Sequence, residues 1–597
     1  MSTSLLLGET ADEADWRAQV EKGLKGAPWS RLVGKTGDGI ELAPLYRETD
    51  IATAQDAAGF PGAAPFTRGR AGWIIRQSFA HPDPAQANRD ILADLTGGVG
   101  AIELVIDPEG AHGVAIKTAG DLEVALADVI LEAAPVSLDA SGMEAALLLE
   151  AKLRGVATLG TAFNLDPIWR QAEWTQALRF AARMRTELPN AAALRADARP
   201  VHEAGGTEAQ EIAAALSSGI AYLRALGEAG VSAEHANAAI AFAVSAGPDV
   251  LIEAAKLRAL RLCWARVMEA SGASPEAREA RIHAFTSRRM LTRYDANTNI
   301  LRITTAAFGA AVGGANVITT GAFTDALGLP TPFARRVARN TQHVLMEECR
   351  LGHVADPAGG SWFVEKLTQE LAAKAWEIMQ LIESKGGIVV AITSGLLADL
   401  VAGARTARQK LIATRRETIT GVTDFPLLDA KEPDVAHAAP PTGAGAFASI
   451  RWAEPFEALR DRAEAKSPRP AAFFANMASQ AEFAPRATWT RNLLAAGGLG
   501  AIGPEDAHAT METLIDEFRA SKARVAVIAS TDACYAEHGE NCAQRLKAAG
   551  ADWVLIAGKP GENEAKLRAA GVDQFVYAGV DALKELETLH AALGIAE

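Results

Sequence analysis

Four stretches of the chain hold residue types and spacings that catalysis or ligand binding requires. His202 closes the run Arg199-Pro200-Val201-His202, directly after a β-like segment. At a barrel strand's C-terminus an imidazole is placed for acid–base work, although a lone histidine is more often a satisfied structural residue. Gly498-Leu499-Gly500-Ala501-Ile502-Gly503 matches G-x-G-x-x-G. A dinucleotide loop must follow a strand and open a helix, so that helix-terminal amides meet the pyrophosphate. Here helical Trp489 to Ala496 precedes the glycines and a strand-like stretch follows, so a helix cap and turn are expected instead. Cys534, His538 and Cys542 recur every four residues. On one helix face two of them could hold a metal, but no fourth ligand is near and buried cysteine behaves as a small hydrophobe; no metal site is expected. Asp295-Ala296-Asn297-Thr298-Asn299 precedes an apolar helical run, and Thr298 or Asn299 is placed to cap it.

These residues need elements to position them. From about residue 70 to 400, β-like and helical runs alternate. Strand-like runs are expected at 101–106, 136–139, 157–165, 194–201, 240–244, 280–288 and 315–320. Helices are expected at 121–131, 143–153, 175–188, 209–226, 248–270, 300–312 and 331–351, with one more at 361–385. With the β-like start near residue 70, this is roughly eight βα units, the count and size of a (β/α)₈ TIM-type barrel. Ahead of it, residues 11–26 form an amphipathic helix with Ala11, Trp16, Val20 and Leu24 on one face and Gly26 as C-cap. That helix either packs on its own domain or lies as an arm on a partner. After the barrel, residues 424–450 are rich in Pro, Ala and Gly, a composition that favours extended, weakly packed chain. A second αβ pattern then begins. Its strands are expected at 471–476, 525–529, 554–557 and 575–578, with helices at 506–520, 536–549 and 562–570, which is a doubly wound, flavodoxin-like arrangement. The expected domains are an arm (1–46), the barrel (47–400), a linker (401–467) and the C-terminal domain (468–597).

Bulk properties narrow the partners. The 597 residues suffice for several domains, and a net charge of −14 repels phosphate backbones. No basic run seeks an anionic membrane, and no apolar run reaches spanning length. Neither nucleic acid nor membrane is an expected partner. Four scattered cysteines suit a reducing compartment, and the N-terminus lacks a basic, apolar leader. The expected location is cytoplasmic.

A longer pattern runs from Arg293 to Trp376. It includes Asn297-Thr298-Asn299-Ile300-Leu301-Arg302, Gly313-Gly314-Ala315-Asn316, Ala338-Arg339-Asn340-Thr341-Gln342 and Asp356-Pro357-Ala358-Gly359-Gly360-Ser361-Trp362. In order and spacing this stretch resembles the methylmalonyl-CoA mutase family. Residues 522–585, with Ala557-Gly558-Lys559-Pro560-Gly561, look most like the family's small, β-type subunit. The resemblance implies a barrel that takes a CoA ester and a C-terminal cobalamin domain. In catalytic relatives it implies the interconversion of methylmalonyl-CoA and succinyl-CoA with adenosylcobalamin, where the cofactor carries the radical chemistry.

Set against those needs, the residues fall short. The family's cobalt-ligand loop carries Asp-x-His-x-x-Gly; aligned on Met477, those positions read Gln480, Glu482 and Pro485. A carboxylate is a poorer cobalt partner than imidazole here, and proline fixes φ where the loop is expected to be free. The family's Tyr-His reads Val201-His202, so His202 is a vestige without its phenol. The early Tyr-bearing loop is cut to Thr67-Arg68-Gly69-Arg70-Ala71-Gly72, and the family's His-Thr-Asn reads Thr319-Thr320-Gly321. The resemblance therefore implies a small, non-catalytic subunit with no catalytic, cofactor or metal residues of its own. Adenosylcobalamin is expected in a large partner subunit, whose fold this chain stabilises in a heterodimer. Two rivals stay open: an active acyl-CoA mutase with unusual cobalamin binding, and a CoA-ester-binding or scaffold protein.

Overall fold

Eight short apolar segments pair in parallel and close on themselves. The computed structural model describes residues 12–51, 59–139, 142–157, 160–438 and 445–595. The barrel strands are β1 (Ile74–Phe79), β2 (Ala101–Val105), β3 (Val136–Asp139), β4 (Ala162–Leu165), β5 (Ala192–Asp197), β6 (Ile240–Ala246), β7 (Ile282–Thr286) and β8 (Val317–Thr319). Val317 of β8 pairs with Ile74 of β1 on one side and with His283 of β7 on the other, which completes the ring. Helices coat the outside and bury one apolar face each against the strands. Their starts are written in the sequence: Thr207 and Gln210 form a reciprocal capping box at Glu208–Glu228, and Asp249 caps Val250–Ala270. These two helices approach closely at Gly219, where a β-carbon would stand 2.7 Å from the ring of Trp264.

Three sequence expectations are corrected at this level. The β-like run 194–201 is two elements: β5 ends at Asp197, and Arg199–Glu203 is a short helix begun by Pro200 in its first turn. The helix expected at 121–131 spans only Ala119–Ala125, because Asp128 turns the chain in the left-handed region (φ +60°). Neither Thr298 nor Asn299 caps the helix Asn299–Val312. The Asn299 amide is buried instead: its Nδ2 donates to the carbonyls of Thr292 (2.8 Å) and Phe323 (2.9 Å), and its Oδ1 accepts from the Thr292 N–H (3.0 Å).

The stretch between the two αβ units is a strap, not a loose tether. Helices Leu396–Ala413 and Glu454–Glu464 lie within it. His437–Ala438 pairs with Gly328–Leu329, Ile450 donates to the Glu203 carbonyl (2.9 Å), and Trp452 to that of Arg289 (3.0 Å). Phe447 stands edge-on to Trp169 with ring centres 5.0 Å apart. The composition marks extended chain correctly but says nothing of these anchors. Residues 439–444 of this stretch, like Ala11 of the first helix, lie outside the described residues.

The C-terminal unit is a five-stranded parallel sheet. Its strands are β9 (Ala471–Asn476), β10 (Gly500–Ile502), β11 (Val525–Ala529), β12 (Trp553–Ala557) and β13 (Gln574–Val576), in the order β10-β9-β11-β12-β13. One apolar layer covers each face. The first layer also takes in Ile412, Trp452 and Phe456, so the strap is part of this core. The glycines at 498–503 follow a helix and lead into edge strand β10, the reverse of a dinucleotide loop. Gly498 has a packing reason: φ is +79°, and a β-carbon there would meet Ala463 at 2.8 Å and the Arg460 backbone at 3.0 Å.

Candidate functional site

Charged side chains from five of the eight strands meet inside the barrel. Arg76 comes from β1, Glu103 from β2, Asp139 from β3, Arg195 and Asp197 from β5, and His283 from β7. Arg195 reaches Asp139 at 2.5 Å, Asp197 at 3.1 Å and Glu103 at 3.9 Å. Arg199, just past β5, bonds Asp139 (2.7 Å) and Asp197 (2.5 Å). Arg76 lies 3.3 Å from Nδ1 of His283. Burial works to raise the Asp139 carboxyl, but Arg199 and Arg195 overcome it and hold the group well below the usual range. Glu103 is pushed up to about 7 by burial and by the charge of Asp139. Burial and the neighbouring Arg76 keep His283 neutral, far below its ordinary value. Side chains fill any small barrel; here the filling is a layer of ion pairs across the axis.

Above this layer, at the C-terminal ends of the strands, lies a cavity of about 680 Å³. Its floor is charged and its roof is the strap, through His437, Phe447 and Ser449.

His202 is not part of that cavity. It is fully buried, with Nδ1 3.2 Å from Glu211 Oε2 and Nε2 2.9 Å from Ser287 Oγ. Glu211 in turn accepts from Lys256 Nζ at 2.8 Å. Burial, with Arg289 and Lys256 nearby, holds His202 neutral, well below its usual range. The imidazole acts as a strut between the short helix Arg199–Glu203, the helix Glu208–Glu228 and Ser287 just past β7.

Asp166, after β4, titrates in an unusual range. Tyr222 donates to its Oδ1 at 2.8 Å, and burial together with Asp197 raises the carboxyl to about 7. In the unfolded chain it ionises near 3.8. The folded state therefore binds the extra proton between these values, and that stabilisation is lost as pH rises through about 7. Asp166→Asn mimics the protonated group. Relative to the native chain, its unfolding free energy should climb by about 1.4 kcal/mol per pH unit from pH 4 to 7 and then level off. Urea denaturation across that range measures it; parallel curves for the two proteins would contradict this assignment.

The second candidate position is the C-terminal sheet. Ligands of such sheets sit beyond the strand ends where strand order reverses, here between β9 and β11. The stretch expected as a ligand loop is a helix. Ser479 caps Gln480–Ala496, and the Glu482 carboxylate closes the capping box by accepting from the Ser479 N–H (3.0 Å) and hydroxyl (2.5 Å). These bonds hold Glu482 below the usual carboxylate range. Pro485 lies inside this helix, so the free loop expected around it is corrected. The sequence carried the signal: Ser479-Gln480-Ala481-Glu482 is the Ser-x-x-Glu pattern of a capping box.

Side-chain bonds bridge the strand ends at this crevice. Ser530 Oγ donates to the Met477 carbonyl across the two strand ends at 2.9 Å. The Tyr535 hydroxyl accepts from the Ser530 N–H (2.7 Å) and donates to the Ala557 carbonyl (2.9 Å). Arg486 leans over the Tyr535 ring and pairs with Asp532 at 2.7 Å. Cys534 and Cys542 are buried while His538 is largely exposed, so these three do not converge. Among the described residues, no three histidine, cysteine or acidic groups gather as metal ligands. Nor is any helix of the described residues long and apolar enough to cross a membrane.

Comparison with known proteins agrees with this architecture. The model of the methylmalonyl-CoA mutase family matches residues 35–467. The methylmalonyl-CoA mutase small subunit of Streptomyces virginiae is 42% identical, over 94% of this chain and 92% of its own length. That of Propionibacterium freudenreichii subsp. shermanii is 34% identical over 98% and 96%. A protein named simply methylmalonyl-CoA mutase, from Cereibacter sphaeroides, is 32% identical over 76% of this chain and 70% of its own length.

Proposed function

The chain belongs to the methylmalonyl-CoA mutase family, a cobalamin-dependent family of isomerases, and from that premise we propose that it is the non-catalytic small subunit of a heterodimeric mutase. The observation that carries this reading is the capping box at Ser479 and Glu482. Where a cobalt-ligand loop is needed, the chain turns straight into a helix and commits its only candidate ligand to that helix's first turn. Tyr535 and the Ser530–Met477 bond fill the space beside it. Gln480, Glu482 and Pro485 thus do not fit a corrin, and adenosylcobalamin belongs to the large partner.

The barrel supports the same reading. The ion-pair layer of Arg195 and Arg199 with Asp139 and Asp197 crosses the axis. Seven carboxylates against four arginines among the cavity's lining residues repel the phosphates of a CoA ester. The role left to the chain is physical. By burying apolar surface of the large subunit in the cytosol, it stabilises the catalytic fold by mass action.

Corrinoid uptake tests this directly. After incubation with adenosylcobalamin and desalting, the isolated chain should retain none, and its visible spectrum should stay blank. Retention approaching one corrinoid per chain would overturn the reading and make the chain itself a cobalamin enzyme.

A further inference from the structure

The outer helices of the barrel are not covered alike. Trp362–Ser384 packs across both Glu208–Glu228 and Val250–Ala270. Their neighbours Asn299–Val312 and Pro332–His343 instead show apolar side chains to the outside. Leu301 is 67% exposed, Phe333 66% and Val344 42%. A groove of about 450 Å³ lies between these two helices, walled chiefly by Thr304, Phe333, Val337, Val344 and Leu345. Large apolar side chains gathered on one exposed face mark a contact surface.

The polar residues on this face indicate what fits it. Pro332–His343 runs on through a π-helical turn, Val344–Glu348. Arg336, Asn340, Val344 and Glu348 recur every four residues and form one row along the outward side. All four are exposed. Among the described residues, the side chains of Arg336, Asn340 and Glu348 have no hydrogen-bond or ion-pair partner. The row therefore carries a free cation at one end and a free carboxylate at the other, about 18 Å apart at helical rise.

Such a row is complementary to itself. Turned end for end about its midpoint, between Asn340 and Val344, it sets Arg336 against Glu348 at both ends. A two-fold contact between copies makes each such pair twice. The same turn brings the apolar side chains of the two copies together along the groove. A second copy supplies this charge order by necessity.

We infer that this face pairs two copies of the chain, with the helical segments 332–348 antiparallel across a two-fold axis and Arg336 of each copy against Glu348 of the other. The inference does not rest on the subunit reading, since both partners are the same chain. It leaves the N-terminal helix for the large chain of the proposed heterodimer, so two small subunits joined here carry one large chain each.

Sedimentation velocity of the full-length protein tests this, read over about a hundredfold range of concentration. The native protein should move from one toward two chains per particle as concentration rises. Arg336→Glu and Glu348→Lys should each raise the dissociation constant at least about tenfold, because each sets like charges together at both ends. An equimolar mixture of the two variants should pair about as well as the native chain, because opposite charges meet again at both ends of the mixed pair. Both side chains are exposed, and unchanged thermal unfolding of the variants confirms that they are folded. A native chain that stays monomeric throughout would overturn the inference, even if this face then docks the large chain. So would single variants that pair like the native chain, or a mixture that pairs no better than either variant alone.

Discussion

Replacing Arg195 by methionine should destabilise the barrel by about 3–5 kcal/mol, the usual cost of stripping the cation from a buried ion pair. Arg195 is fully buried and faces three carboxylates, at 2.5 Å, 3.1 Å and 3.9 Å. Methionine keeps an unbranched stem but removes the guanidinium, which leaves Asp139 and Asp197 sharing Arg199 alone. Against a typical domain stability of about 5–15 kcal/mol, such a loss brings the barrel near its unfolding threshold. The urea midpoint of the barrel transition measures it. Combining Arg195→Met with Asp139→Asn should restore part of the loss, because the second change removes a carboxylate that the first stranded. Additive losses in the double variant would show that the two residues do not act as a pair.

The second large effect concerns the N-terminal helix. Glu13–Leu24 has a reciprocal cap at Asp12 and Asp15, yet none of its residues is buried. Its apolar face carries Trp16, Val20 and Leu24, which are partly buried, and Trp16 stands edge-on to Trp29 with ring centres 5.7 Å apart. The sequence allows two homes for this helix, its own domain or a partner; the incomplete burial of its apolar face among the described residues favours the partner. In the proposed heterodimer, Trp16→Ala should then weaken association by about 2–4 kcal/mol, the range of an interface tryptophan, or roughly 30- to 1,000-fold in Kd. The isolated variant should unfold at the same temperature as the native chain. An unchanged Kd, or a destabilised free chain, would assign the helix to its own domain.

Much of the architecture was legible because it rests on local periodicity. The barrel strands and outer helices alternate at the expected spacing, and edge strand β10 follows the glycines as the reversed order implied. What stayed hidden depends on distant partners. The charge layer joins Arg76, Glu103, Asp139, Arg195 and His283, which are dispersed over more than 200 residues, and nothing local announces that they share an axis. His202 looked like a site residue because it follows a strand; its burial comes from Glu211, Ser287 and Lys256, brought in by other elements. The helix at Gln480 was missed for a different reason. The resemblance implies a loop at that place, whereas the local Ser-x-x-Glu pattern is that of a helix start. Composition likewise marked 424–450 as linker, but the backbone bonds to Glu203 and Arg289 that make it a strap leave no trace in composition.

Purifying the tagged chain from its native cells, then weighing and assaying what elutes with it, tests the central claim most directly. The subunit account predicts an equimolar pair with a larger homologue that carries Asp-x-His-x-x-Gly, and about one corrinoid per pair. Elution of the chain alone with bound corrinoid would contradict it, and would place the cofactor beside the helix that begins at Gln480.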